Sequence, residues 1–84
     1  MKNDKVIIEF YIQNQQKLVD LEVPLDISAN DLFVSLNKAY NLQVDVEDIN
    51  NCYLVSENPI ALLRGMKSLA EYGIRNGSKI SYLR

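Results

Sequence analysis

The sequence predicts an α+β fold in which one helix packs on a mixed sheet of four to five strands. Three observations carry this expectation. Two apolar-alternating runs stand close together near the N-terminus, one run with helical period follows, and the remainder is short apolar runs between turn residues. Each such element has one apolar face to bury, and helix on sheet is a two-layer way of burying both. The expected order is strand, strand, helix, strand, strand, short 3₁₀ turn, strand, in a single domain over residues 1–84. Residues 1–4 read as a loose polar tail.

In KVIIEFYIQ, Val6, Ile8, Phe10 and Ile12 fall on one face and Ile7, Glu9, Tyr11 and Gln13 on the other. That two-residue period belongs to a half-buried strand. A polar break at residues 14–16 precedes KLVDLEV, where Val19, Leu21 and Val23 oppose Leu18, Asp20 and Glu22. Two alternating runs this close predict an antiparallel hairpin. Pro24 ends the second strand, because it has no ladder donor. The period then changes: Ala29, Leu32, Phe33, Leu36 and Tyr40 share one helical face, which predicts a helix over 28–40. Ser28 and Asp31 resemble a capping box, Lys38 lies in the last turn, and Asn41 tolerates the left-handed conformation that ends helices.

QVDVEDINN reads as an acidic connection, CYLVS as a short strand, ENP as its break and IALLR as the next short strand, with a helical reading as the alternative for IALLR. SLAEYGI is long enough for only a single helical or 3₁₀ turn. Asn76-Gly77 is a turn signal, since both residues accept positive φ. SKISYL closes the chain as a strand, with Ile80 and Tyr82 inward and Ser81 and Leu83 outward.

Composition narrows the function classes. A chain of 84 residues buries only about 60–65% of its unfolded surface. With 48% hydrophobic and 24% charged residues, it can still supply an efficient core. The single cysteine, Cys52, excludes an intramolecular disulfide and suits a reducing compartment. Absence of histidine removes Ser–His and Cys–His nucleophilic pairs, histidine acid–base chemistry and most zinc sites. Cys52 sits in an apolar run and reads as a small core residue. Residues 45–51 offer several oxygens but lack the glycine and terminal glutamate of an EF-hand loop, and read as solvated. Gly65 and Gly77 are isolated turn positions, with no phosphate-binding pattern around them. Neither a metal nor a cofactor is expected, and no catalytic constellation is present.

The net charge is -2 and the nine basic residues are scattered, which argues against nucleic-acid binding. No apolar run approaches the ~20 residues of a membrane span, and the N-terminus does not read as a signal peptide. A cytoplasmic location is the resulting expectation.

The predicted order resembles ubiquitin's β-grasp. SLAEYGIRNGSKISYL is similar to the segment running from ubiquitin's 3₁₀ turn into its last strand, through the Leu69, Tyr72 and Ile74 spacing. LEVPLDISANDLFVSL is similar to its second strand, loop and helix start, with Ala29, Leu32 and Leu36 at the buried helix positions. Within that superfamily the chain resembles the small YukD/EsaB-type proteins of type VII (WXG100) secretion systems in Gram-positive bacteria. The shared features are short length, a strand at the extreme N-terminus and the closing LxxYGIxNGxxI. The resemblance implies a non-enzymatic, cytoplasmic accessory or regulatory protein that binds parts of a secretion machine. Ubiquitin and related sulfur carriers act through a flexible C-terminal Gly-Gly, whose lack of side chains lets the backbone thread an activating enzyme's channel. Here Leu83-Arg84 close the chain without glycine, so conjugation is not expected.

A surface remains. With Val6, Ile8 and Phe10 inward, Ile7 faces out, and so does Leu83. A β-grasp sheet places the first, last and third strands side by side. The sequence of CYLVS leaves its parity open; with Cys52 and Leu54 taken as inward, Tyr53 and Val55 would join Ile7 and Leu83 in one apolar spot, extended by Leu18. These five residues are the expected partner-binding set. Two other readings stand beside this one: a sulfur carrier or protein modifier acting through the C-terminus, and a structural module, including a homodimer, pairing through an open sheet edge.

Overall fold

Strand alternation organises the first third of the chain. The protein is represented by a computed structural model that describes residues 4–83, the Ile49 side chain excepted. The first three residues of the expected loose tail, and Arg84, lie outside the described residues. Asp4, also expected in that tail, accepts a hydrogen bond from the Leu25 N–H at 2.9 Å. Strands β1 (Lys5–Ile12) and β2 (Lys17–Pro24) form the hairpin, with Lys5 opposite Pro24 and Ile12 opposite Lys17. Val6, Ile8, Phe10 and Ile12 are buried, as their alternation predicts. The connection is a 3₁₀ turn, Gln13–Gln15, followed by Gln16 at φ 49°. Pro24 is tolerated as the last residue of β2 because that strand lies at the sheet edge.

Helix α1 (Ala29–Tyr40) buries Ala29, Leu32, Phe33 and Leu36. Its N-terminal donors are accounted for. The Ser28 Oγ accepts from the Asp31 N–H at 3.0 Å, while the Ala29 and Asn30 N–H groups donate to Lys67 O and Gly65 O, both at 2.9 Å. Asn41 ends the helix at φ 55°, its N–H bonded to Asn37 O. Asn37 also clamps the next loop: its Nδ2 donates to Val44 O at 2.8 Å and its Oδ1 accepts from Val44 N–H at 3.0 Å.

The remaining strands, β3 (Leu54–Glu57), β4 (Ala61–Leu63) and β5 (Lys79–Tyr82), complete a five-stranded sheet ordered β2-β1-β5-β3-β4. β5 runs parallel to β1, and the other pairings are antiparallel. CYLVS thus supplies a strand that starts at Leu54 rather than at Cys52. Phe10, Ile12, Leu54, Leu63, Ile80 and Tyr82 meet the helix from the sheet side. Rings of Phe33 and Tyr82 lie 6.3 Å apart, and those of Phe10 and Tyr40 5.6 Å apart. Ser56 shares this inner face, and its buried hydroxyl donates to Pro59 O at 2.7 Å.

The segment after β4 straps the helix start to the last strand. Leu69 and Ala70 N–H groups donate to Ile27 O and Leu25 O. Tyr72 N–H then donates to Leu69 O and Gly73 N–H to Ala70 O, the i→i+3 pattern of the expected 3₁₀ turn. Ser68 and Glu71 form a reciprocal capping box that the sequence reading missed: Ser68 N–H donates to Glu71 Oε1 at 2.9 Å, and Glu71 N–H to Ser68 Oγ at 3.1 Å. These bonds to Ser68 hold the Glu71 carboxyl below its ordinary pKa. At the next turn only Gly77 takes positive φ, at 87°. Asn76 contributes through its side chain instead, its Oδ1 accepting from Ile7 N–H at 2.7 Å.

Truncating Phe10 to alanine is expected to cost about 3–5 kcal/mol, read from the urea midpoint, because a fully buried ring is lost from the sheet centre. Glu71→Gln tests the capping box. With a depressed carboxyl pKa in the folded state, the stabilisation is complete above the unfolded value and is lost as pH falls through the folded one. The native chain's advantage over Glu71→Gln should therefore vanish on acidification in paired urea titrations.

Candidate protein-interaction surface

One face of the sheet carries the helix, and the other is open. Register fixes what the open face displays, because residues paired across strands share a face. Leu18 pairs with Tyr11, Tyr11 with Ser81, Ser81 with Val55, and Val55 with Leu62. A single row therefore crosses all five strands as Leu18–Tyr11–Ser81–Val55–Leu62. Leu18 and Leu62, at its ends, are 57% and 46% exposed. Ser81 is only 7% exposed although it faces outward, because a short side chain lies between the larger Tyr11 and Val55. The row is thus interrupted at its centre by one buried polar residue. Two residues along the strands runs a charged row, Asp20–Glu9–Lys79–Glu57. Lys79 leans toward the apolar row, its Nζ 5.8 Å from the Tyr11 ring centre.

Of the five residues singled out from sequence, the structure brings four together. Leu18 and Val55 belong to the apolar row. Leu83 and Tyr53 lie one residue beyond β5 and β3, and continuing the register sets them opposite each other, alongside that row. Ile7 does not join them. It pairs with Glu22 and accepts a hydrogen bond from Gly77 N–H, on the far side of the charged row. Parallel pairing of β1 and β5 sets Leu83 level with Gln13, six residues beyond Ile7, about 20 Å along the strand. The single spot expected around Ile7 and Leu83 is therefore corrected to an apolar band without Ile7. Tyr11 and Leu62 were not singled out. Tyr11 was legible from alternation, whereas the three residues of β4 carry too little pattern to give Leu62 a face.

The fold defines the class: this is a ubiquitin-like β-grasp domain. The match to solved structures extends over nearly the whole chain. The C-terminal ubiquitin-like domain of mouse tubulin-specific chaperone e superposes with a TM-score of 0.73 at 15% identity, covering 96% of this chain and 87% of that one. A ubiquitin-like domain from tubulin-binding cofactor B gives 0.74 at 20% identity, covering 95% and 89%. The UBL domain of Plasmodium falciparum Dsk2 gives 0.61 at 18% identity, covering 95% and 100%. At such identities these likenesses speak for the fold. No curated protein matches the sequence. The sequence model of the family described as WXG100 protein secretion system (Wss), protein YukD, matches residues 7–81, and the chain belongs to that family.

Side chains with chemical potential are engaged in structure. Cys52 is buried, its Sγ 3.2 Å from Asp48 O. The Asp45 Oδ1 accepts from Glu47 N–H, and the Asp48 Oδ2 from Asn51 Nδ2, so these acidic groups cap their own loop, which includes a 3₁₀ turn at Ile49–Asn51. Among the described residues, no three of His, Cys, Asp or Glu converge on one point. No helix among them is long and apolar enough to cross a membrane. A thiol reagent should therefore label Cys52 in the folded chain at least tenfold more slowly than in urea, a ratio readable by absorbance.

Proposed function

We propose that this chain is a non-enzymatic interaction module that serves a WXG100 secretion system as a cytoplasmic accessory or regulatory component, and that it docks by its open sheet face. Membership of the YukD family supports the setting. The observation that carries the docking surface is the apolar row crossing all five strands, with Tyr53 and Leu83 beside it. Contiguous apolar area on a small domain marks an interaction site. The adjoining charged row holds three carboxylates to one ammonium and sets orientation at the rim. Its partners are the cytoplasmic, protein parts of the secretion machine. Burial of the open sheet face against a partner is the mode of action.

The test uses a strain lacking the protein and complemented with variants. Leu18→Asp/Leu62→Asp places charge at both ends of the row, on exposed sites where the fold tolerates it. Export of a WXG100 substrate should fall at least tenfold while the purified variant melts within a few degrees of the native chain. Ile7→Asp, equally exposed but outside the band, should leave export unchanged. A folded double variant that supports native export would overturn the docking surface.

A further inference from the structure

The sheet has two edges of unequal character. β4 offers three residues, whereas β2 offers eight and is covered by no other strand. Which β2 groups are open follows from the ladder. Leu25 N–H donates to Asp4 O in the same register that pairs Val6 with Val23 and Ile8 with Leu21. Bonded pairs alternate in antiparallel sheet, so residues 19, 21 and 23 bond β1 while Leu18, Asp20 and Glu22 turn N–H and C=O to the open edge. Beneath that edge, between β2 and α1, runs a groove of about 400 Å³ whose walls include Leu21, Val23, Leu32, Leu36, Ala39 and Tyr40.

We infer that the β2 edge and this groove take an extended segment of another protein as a sixth strand, one in which apolar residues alternate with lysine or arginine. Alternation gives the segment two faces. One set of its side chains enters the apolar groove. The other stands beside Asp20 and Glu22, at the ~5.5 Å Cα separation of bonded antiparallel pairs, where cations are favoured and carboxylates repelled. The same charges oppose a second copy of this chain as the occupant. In antiparallel self-pairing at full overlap, Asp20 would meet either Asp20 or Glu22 of the other copy. Carboxylates on an edge also guard against aggregation. Guarding alone, however, does not account for the half-buried Leu21 that lines an open apolar groove below them. This surface shares Leu18 with the apolar band of the sheet face and Asp20 with its charged rim, and is otherwise separate from it.

The full chain, labelled with ¹⁵N, is titrated with three capped ten-residue peptides: valine alternating with arginine, valine alternating with glutamate, and valine and arginine in two blocks. The alternating Val/Arg peptide should slow amide exchange at Leu18, Asp20 and Glu22 at least tenfold, and the other two should not. Asp20→Lys/Glu22→Lys should weaken Val/Arg binding at least tenfold and admit the Val/Glu peptide. Leu62→Asp, at the opposite edge, should leave peptide binding unchanged, so failure here is separable from failure of the sheet-face reading. The inference is overturned if those amides stay fast with Val/Arg, or if all three peptides protect them alike. It is equally overturned if they are already slow without peptide while sedimentation gives a dimer.

Discussion

The parallel seating of β5 against β1 is the constraint on which the rest of the structure depends. These strands are separated by most of the chain, yet their junction is pinned before the ladder begins. Asn76 Oδ1 takes the Ile7 N–H, Gly77 N–H donates to Ile7 O, and Glu9 N–H donates to Ser78 O. Once set, this register stacks Phe10 beside Ile80 and Ile12 beside Tyr82 on the inner face. By the same geometry it aligns Tyr11 with Ser81 on the outer one, because adjacent residues of a strand point to opposite faces. Core and outer sheet face are therefore two readings of one set of hydrogen bonds. A slip by one residue would exchange them.

Polar side chains in the interior serve the chain itself. Ser28 and the backbone carbonyls of Gly65 and Lys67 satisfy the helix start, Ser56 ties the β3–β4 turn, and Ser78 bonds both Arg75 N–H and Asn58 O. Every buried side-chain nitrogen or oxygen among the described residues has a partner. A buried polar group without one is costly. The apolar band and the outward backbone groups of β2 lie outside this network.

Local pattern was enough to determine the elements. The hairpin strands, the helix with its Ser28 and Asn41 caps and the inward set of the last strand are written in periods of two and about three and a half residues. Those periods act between near neighbours, so they need no knowledge of the fold. Parity of CYLVS was ambiguous in the sequence, because every residue of the run but the last is apolar or aromatic; the fold buries Cys52 and Leu54. Tertiary structure alone decided which outward residues meet. Ile7 and Leu83 have the same local character as Leu18 and Val55, but cross-strand register places Ile7 beyond a charged row. The burial of Ser81, the inclusion of Leu62 and the groove under β2 likewise arise only in the assembled fold. Alternation tells each residue which face it occupies; the hydrogen-bond register between remote strands tells it its neighbours, and no short stretch of sequence contains that information.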